Sequence, residues 1–110
     1  MSDVAALIDE LANELASWPG VSVTRRADGA AVVSYKKLEL GVLYPDRGLA
    51  ELPFFGVERD ELLEHGDADA AEATPDSTGV DHAVRGASDL TAVLALFDRR
   101  YRDVRGDDDP

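Results

Sequence analysis

Apolar residues recur along this chain with two periods, and the switches between them outline the fold. Val4, Leu7, Ile8, Leu11 and Leu15 fall at i, i+3, i+4, i+7 and i+11, which is one face of an α-helix. Ser2 or Asp3 is the expected cap, and Ser17-Trp18-Pro19-Gly20 the expected stop, because Pro19 cannot continue the hydrogen-bond ladder. Leu90, Val93, Leu94, Phe97 and Tyr101 repeat the same spacing near the C-terminus, with Ser88 as the expected cap. The opposite side of that helix carries Asp98, Arg99, Arg102 and Asp103, and its several arginines complement the C-terminal end of the dipole.

Between the two helices the period drops to two. Val21 to Arg26 and Ala30 to Tyr35 read as paired strands around Ala27-Asp28-Gly29. A two-residue Asp28-Gly29 turn would mix the faces. A three-residue loop with left-handed Gly29 aligns Val21, Val23 and Arg25 with Tyr35, Val33 and Ala31. Ser22, Thr24 and Arg26 then share a wet face with Ser34, Val32 and Ala30. Leu38 to Phe55 reads as a central hairpin broken by Tyr44-Pro45-Asp46-Arg47-Gly48, since Pro presets φ and Gly accepts positive φ.

A short helix is expected over 57–65, with Glu58, Asp60 and Glu61 in its first turn and Gly66 just past its end. Asp67 to Thr74 alternates acid and alanine and is read as a marginal strand, Pro75 to Gly79 as a turn. Val80 to Val84 is a last strand with Val80, His82 and Val84 on one face. The expected architecture is therefore α+β, in the order α-β-β-β-β-α-β-β-α. An antiparallel sheet of five or six strands is covered on one face by the terminal helices and one short helix. Residues 1–103 form one domain in this reading, and 104–110 a disordered acidic tail.

Charge changes the picture next. Asp and Glu number 23 against 11 Lys and Arg, a net charge of 11 − 23 = −12, and Lys36 and Lys37 are the sole lysines. Asp-rich, Lys-poor composition with small Ala and Val resembles that of haloarchaeal proteins, whose cytoplasm is molar in KCl. At about 1 M salt the Debye length is about 3 Å, so the self-repulsion of such a surface is screened. The expectation is a halophilic, archaeal, cytoplasmic protein. A competitor of nucleic acid is the rival reading of the acidic surface. Binding to nucleic acid is not expected, because no basic stripe is present to displace counterions from phosphates. The N-terminal apolar run contains Asp9, Glu10 and Glu14 and no basic leader, so neither a signal peptide nor a membrane span is expected. The chain has no cysteine and hence no disulfide.

Candidate chemistry is sparse. His65 and His82 are the only histidines, and with no cysteine they do not make a zinc site of ordinary composition. His65 suits the end of the short helix as a dipole partner. Asp67, Asp69 and Glu72 could hold a hard cation through oxygens, but they lack a glycine-bearing calcium loop. Ser34, Ser77 and Ser88 lack a nucleophile elbow, and no glycine-rich phosphate loop occurs. No catalytic residue, metal or cofactor is therefore expected. Arg25, Arg26, Lys36 and Lys37 form a basic cluster, read as protection of a sheet edge.

An ordered set of short motifs points further. Trp18-Pro19-Gly20-Val21, Leu40-Gly41, Leu52-Pro53-Phe54, Arg59-Asp60-Glu61-Leu62 with Gly66, Pro75-Asp76-Ser77 and Arg100-Tyr101 span nearly the whole chain. In order and spacing they resemble the luciferase-domain family, small α+β proteins mostly of unknown function. The family pattern places histidines where this chain has Val42 and Tyr44, and a histidine pair near Ala70-Ala71-Glu72. It also has a tryptophan at Gly79. Any chemistry those histidines perform in relatives is therefore not expected here.

Two functional expectations follow. The first is a non-enzymatic module that binds a protein partner or forms a homodimer, using an exposed sheet face with Tyr44, Phe54, Phe55 and Tyr101 as an apolar patch. The second is a small-molecule or anion-binding domain, or a weak enzyme. Its pocket would lie between the central hairpin and the short helix, and would use Arg59, Tyr44, Phe54 and His82.

Overall fold

A computed structural model of the chain describes residues 4–54, 56–66, 69–70 and 79–105. Nine elements follow in the expected order: α1 (Val4–Ala16), β1 (Val21–Arg25), β2 (Ala31–Tyr35), β3 (Leu38–Tyr44), β4 (Leu49–Leu52), α2 (Gly56–Glu64), β5 (Asp69–Ala70), β6 (Val80–Ala83) and α3 (Ala87–Arg105). The fold is α+β, a six-stranded antiparallel sheet in the order β1-β2-β3-β4-β6-β5. β6 lies beside β4 and displaces the two-residue β5 to the edge.

The first hairpin has the register that its alternation dictates. Val21 faces Tyr35, Val23 faces Val33 and Arg25 faces Ala31, with Gly29 at φ 90° in the three-residue loop. Only a residue without Cβ holds that angle cheaply. β2 and β3 are joined by Lys36-Lys37, and Lys36 sits at φ 57°, an uncommon angle for a side-chain-bearing residue. Its amide donates to the Gly20 carbonyl at 2.8 Å. Between Val33 and Ser34 the register slips by one, so Leu40 is an extra residue in β3.

The apolar faces of α1 and α3 meet one face of the sheet. Ile8, Leu11, Leu15, Val93, Phe97 and Tyr101 share one buried cluster with Val33, Leu40, Leu43, Ala50, Leu52 and Val80. Leu96 joins them at 5% exposure, so the buried stripe of α3 is wider than the five-residue pattern. Trp18 folds back onto α3, with its ring centroid 5.1 Å from that of Tyr101. α2 is tied to α3 by Arg99, whose Nε donates to Glu58 Oε2 at 2.6 Å.

Four expectations are corrected. Phe54 (1% exposed) and Tyr101 (5%) belong to the helix-side core, so they form no surface patch, and Phe55 lies outside the described residues. The last helix begins at Ala87, not after Ser88. Asp89 Oδ2 accepts from the amides of Arg85 and Gly86 at 2.8 and 3.3 Å, closing the first turn from inside. α3 also extends to Arg105, because Val104 packs against the core one turn beyond Tyr101. The face shared by Ala30 and Val32 is drier than expected, since Ala30 is buried and Val32 half-buried. The expected caps Ser2 and Asp3, the Pro75 turn and residues 106–110 lie outside the described residues.

Candidate functional site

Strand alternation places two chemistries on opposite faces of the sheet. Arg25 shares the helix-side face with Val21 and Val23, and its Nη2 meets Asp9 of α1 at 2.5 Å. Arg26, one residue on, belongs to the other face with Ala30, Val42 and Tyr44. The basic cluster legible in the sequence is thus divided by the pleat. Only its Arg26 half stands beside the Tyr44 ring.

Tyr44 is the last residue of β3, where the turn 45–48 begins. The turn is closed by the Gly48 amide donating to the Tyr44 carbonyl at 2.8 Å. It brings the Arg47 guanidinium to 5.6 Å from the Tyr44 ring centroid, while Arg26 lies 5.8 Å from the same centroid. Each cation is within the range in which a ring quadrupole attracts it, an effect of about 0.5–1 kcal/mol at exposed sites. Arg26, Asp28, Ala30, Tyr44, Pro45, Asp46 and Arg47 together line a recess of about 360 Å³.

The loop chemistry that shapes the first hairpin also orients Arg26. Asp28 accepts from Arg26 Nε at 3.2 Å and from Nη2 at 2.6 Å, a two-pronged pairing. Asp28 Oδ1 also accepts the Ala30 amide at 3.0 Å. The Arg26 guanidinium, followed by the Ala30 amide, lowers the Asp28 carboxyl from 3.8 to about 2. The hydroxyl of Tyr44 is shifted the other way, above its ordinary 10. Burial is the main cause and the Glu51 carboxylate the second, while Arg26 and Arg47 oppose the shift. Tyr44 is thereby a neutral hydrogen-bond donor over the whole neutral range.

Other predicted site residues lie elsewhere. Arg59 is half-buried on α2, and its Nε donates to the Gly79 carbonyl at 3.1 Å. His82 faces Ala50 across the β4–β6 pair, and its Nδ1 is 2.7 Å from the Ala83 carbonyl oxygen. Phe54 is core. Of Arg59, Tyr44, Phe54 and His82, only Tyr44 lines the recess. A second cavity of about 250 Å³, lined by Leu62, Ala92, Ala95, Leu96 and Arg99, lies between α2 and α3 and contains none of the four.

Arg26, Asp28 and Arg47 are therefore what residue-by-residue reading missed. The signal was present in the turn sequences: both loops carry an Arg within three residues of an Asp, and both flank strand ends that pair through β2–β3. Among the described residues no group of three or more His, Cys, Asp or Glu side chains is placed to hold a metal ion. Asp67 and Glu72 lie outside the described residues, as does the side chain of Asp69. No helix among the described residues is long and apolar enough to cross a membrane. No protein-family model matches the chain, and no curated protein matches it.

Proposed function

We propose that this domain is a non-enzymatic binding module that engages a second copy of itself or another protein through the sheet face bearing Tyr44. One observation carries the reading: a half-buried tyrosine with two guanidiniums within 6 Å of its ring, at the edge of a formed recess. Tyr and Arg are the residue types that dominate interface energetics, because each offers large rigid contact area with directed hydrogen bonding. Val32 and Leu49, both half-buried, lie on the same face through the strand register and flank the anchor with apolar surface, while Val42 on that face is buried beneath them. The opposite face is already committed to the helices.

The alternative, an anion pocket at Arg59, has weaker support, because that side chain is bonded to the Gly79 carbonyl and lines neither described cavity. The acidic composition supports a halophilic cytoplasmic setting in which like-charged copies approach without strong repulsion. The ordered motifs support a place in the luciferase-domain family, as a member without the family's histidines.

Photo-crosslinking tests the reading. A photoreactive residue at Leu49, on the Tyr44 face, is expected to give discrete adducts with a second copy or with one partner in molar KCl. Loss of those adducts in Tyr44→Ala would tie them to the anchor. An absence of adducts at Leu49, with discrete adducts from a control position at the exposed Asn13 on α1, would move the binding surface away from this face.

A further inference from the structure

We infer that the Tyr44 recess is a carboxylate site: a planar monoanionic carboxylate enters it and is held by the guanidiniums of Arg26 and Arg47. The inference rests on the binding-module reading and names the chemistry of what that module recognises.

Three observations select this ligand class. The first is geometric. Arg26 is gripped by Asp28 through Nε and Nη2, which fixes the plane of the fork, and it also donates to the Tyr44 hydroxyl, which turns the guanidinium toward the recess. A pre-oriented guanidinium loses less freedom on meeting a ligand, and its flat donor edge matches a carboxylate.

The second is charge. Two guanidiniums and two carboxylates, Asp28 and Asp46, line the recess, so it is close to neutral before anything enters. Glu51 acts on Tyr44 from just outside. A phosphate dianion would bring two negative charges against three nearby carboxylates. A carboxylate brings one, and both guanidiniums line the recess that it enters.

The third is the phenol. Tyr44 stays protonated through the neutral range, so its hydroxyl is a donor in the same recess, and a carboxylate has lone pairs for all three donors. A recess of about 360 Å³ holds a group the size of an aspartate or glutamate side-chain terminus with space to spare.

The carboxylate can belong to a small free acid or to an acidic side chain of a bound protein, and one experiment separates them. The full-length protein, labelled with ¹⁵N and ¹³C, is titrated at constant molar potassium while chloride is replaced by acetate. A second titration adds a short glutamate-containing peptide, and a third replaces chloride by inorganic phosphate. The expected result is a saturating shift confined to the Arg26 and Arg47 side chains, the Tyr44 ring and the Ala30 amide, with either carboxylate probe. Arg47→Ala is expected to weaken it by about tenfold or more, and Arg47→Lys several-fold, since Lys keeps the charge and loses the fork. Peptide binding much tighter than acetate assigns the source to a protein partner, and equal binding to a small acid.

Linear drift without saturation, shifts spread over the whole surface, or phosphate binding as tightly as acetate would overturn the inference. Variant folding is checked by the unchanged amide spectrum of α1 and α3. Failure here with the Leu49 crosslinks intact would remove the carboxylate and keep the module. Saturable acetate binding without crosslinks would keep the site and remove the module.

Discussion

The hydroxyl of Tyr101 donates to the carbonyl of Pro19 at 2.7 Å, joining the last helix to the turn after the first across 82 residues of sequence. The Tyr101 ring lies between Trp18, 5.1 Å away, and Tyr35, 5.5 Å away. One side chain therefore links both ends of the described chain to the central sheet. Tyr101→Phe keeps the ring and removes the hydroxyl with its hydrogen bond to Pro19. Because Pro19 is exposed, its carbonyl regains water, and the expected loss is about 1 kcal/mol. Tyr101→Ala removes the aromatic contacts too, with an expected loss of about 3–5 kcal/mol. Denaturant unfolding in molar KCl measures both, and equal losses would show that the hydroxyl alone matters.

Gly41 makes a sharper test, because its sign is at stake. A Cβ at Gly41 would lie 2.8 Å from Phe97 Cε1 and 2.8 Å from the Glu51 carbonyl oxygen. Replacing a strand glycine by alanine ordinarily stabilises by about 0.5–1 kcal/mol. Here overpacking is expected to win, giving a net loss of about 1–3 kcal/mol for Gly41→Ala. Phe97→Leu in the same chain should recover part of that loss, since the two positions share one space. A Gly41→Ala protein more stable than the parent would show that the Phe97 ring moves aside freely.

Asp28 sets an acid limit on the recess. Folding lowers its carboxyl from 3.8 to about 2 through Arg26 and the Ala30 amide. A depressed carboxyl contributes stability above the unfolded value, and that contribution is lost as pH falls from about 3.8 through about 2. The side chain is exposed, so the effect is read at the site and not in global unfolding. The ¹³C carboxyl resonance of Asp28 should titrate near 2, and Arg26→Ala should return it toward 3.8. An unmoved midpoint in the variant would mean that the amide, not the guanidinium, holds it down.

Tyr44 titrates in the opposite sense, and two substitutions should move it in opposite directions. Its hydroxyl is raised above 10 by burial and then by Glu51, while Arg47 pulls it down. Glu51→Gln should lower the Tyr44 midpoint, and Arg47→Ala should raise it further. A raised phenol favours the folded state below its unfolded value, a contribution lost as alkaline pH passes the folded value. Ring-proton shifts during an alkaline titration resolve Tyr44 from Tyr35 and Tyr101. Shifts of the same sign in both variants would place the two charges elsewhere.

Much of the fold was legible because it is local. The stripes of α1 and α3, the Gly29 loop and the Val21–Tyr35 register each follow from period and turn chemistry within a dozen or so residues. The candidate site was legible only in pieces. Tyr44 stood out as an aromatic at a strand end, whereas Arg26 was grouped with Arg25 because adjacency along the chain conceals opposite faces across a sheet. Phe54 suggested a surface because its position after Pro53 gives no face by itself. Burial against the helix-side cluster decided otherwise.

By itself, then, the sequence determined the element order, the two helix faces, the first hairpin's register and a strongly acidic composition, all properties of short-range pattern or residue content. Tertiary structure alone decided three things. β6 pairs with β4 and leaves β5 at the edge, a long-range choice with no local signature. Gly41, next to the bulge at Leu40, leaves room for the Phe97 ring. The third is the meeting of Arg26 and Arg47 at Tyr44. Their loops are about twenty residues apart and become neighbours only when β2 and β3 pair, because strand pairing converts sequence separation into one shared edge.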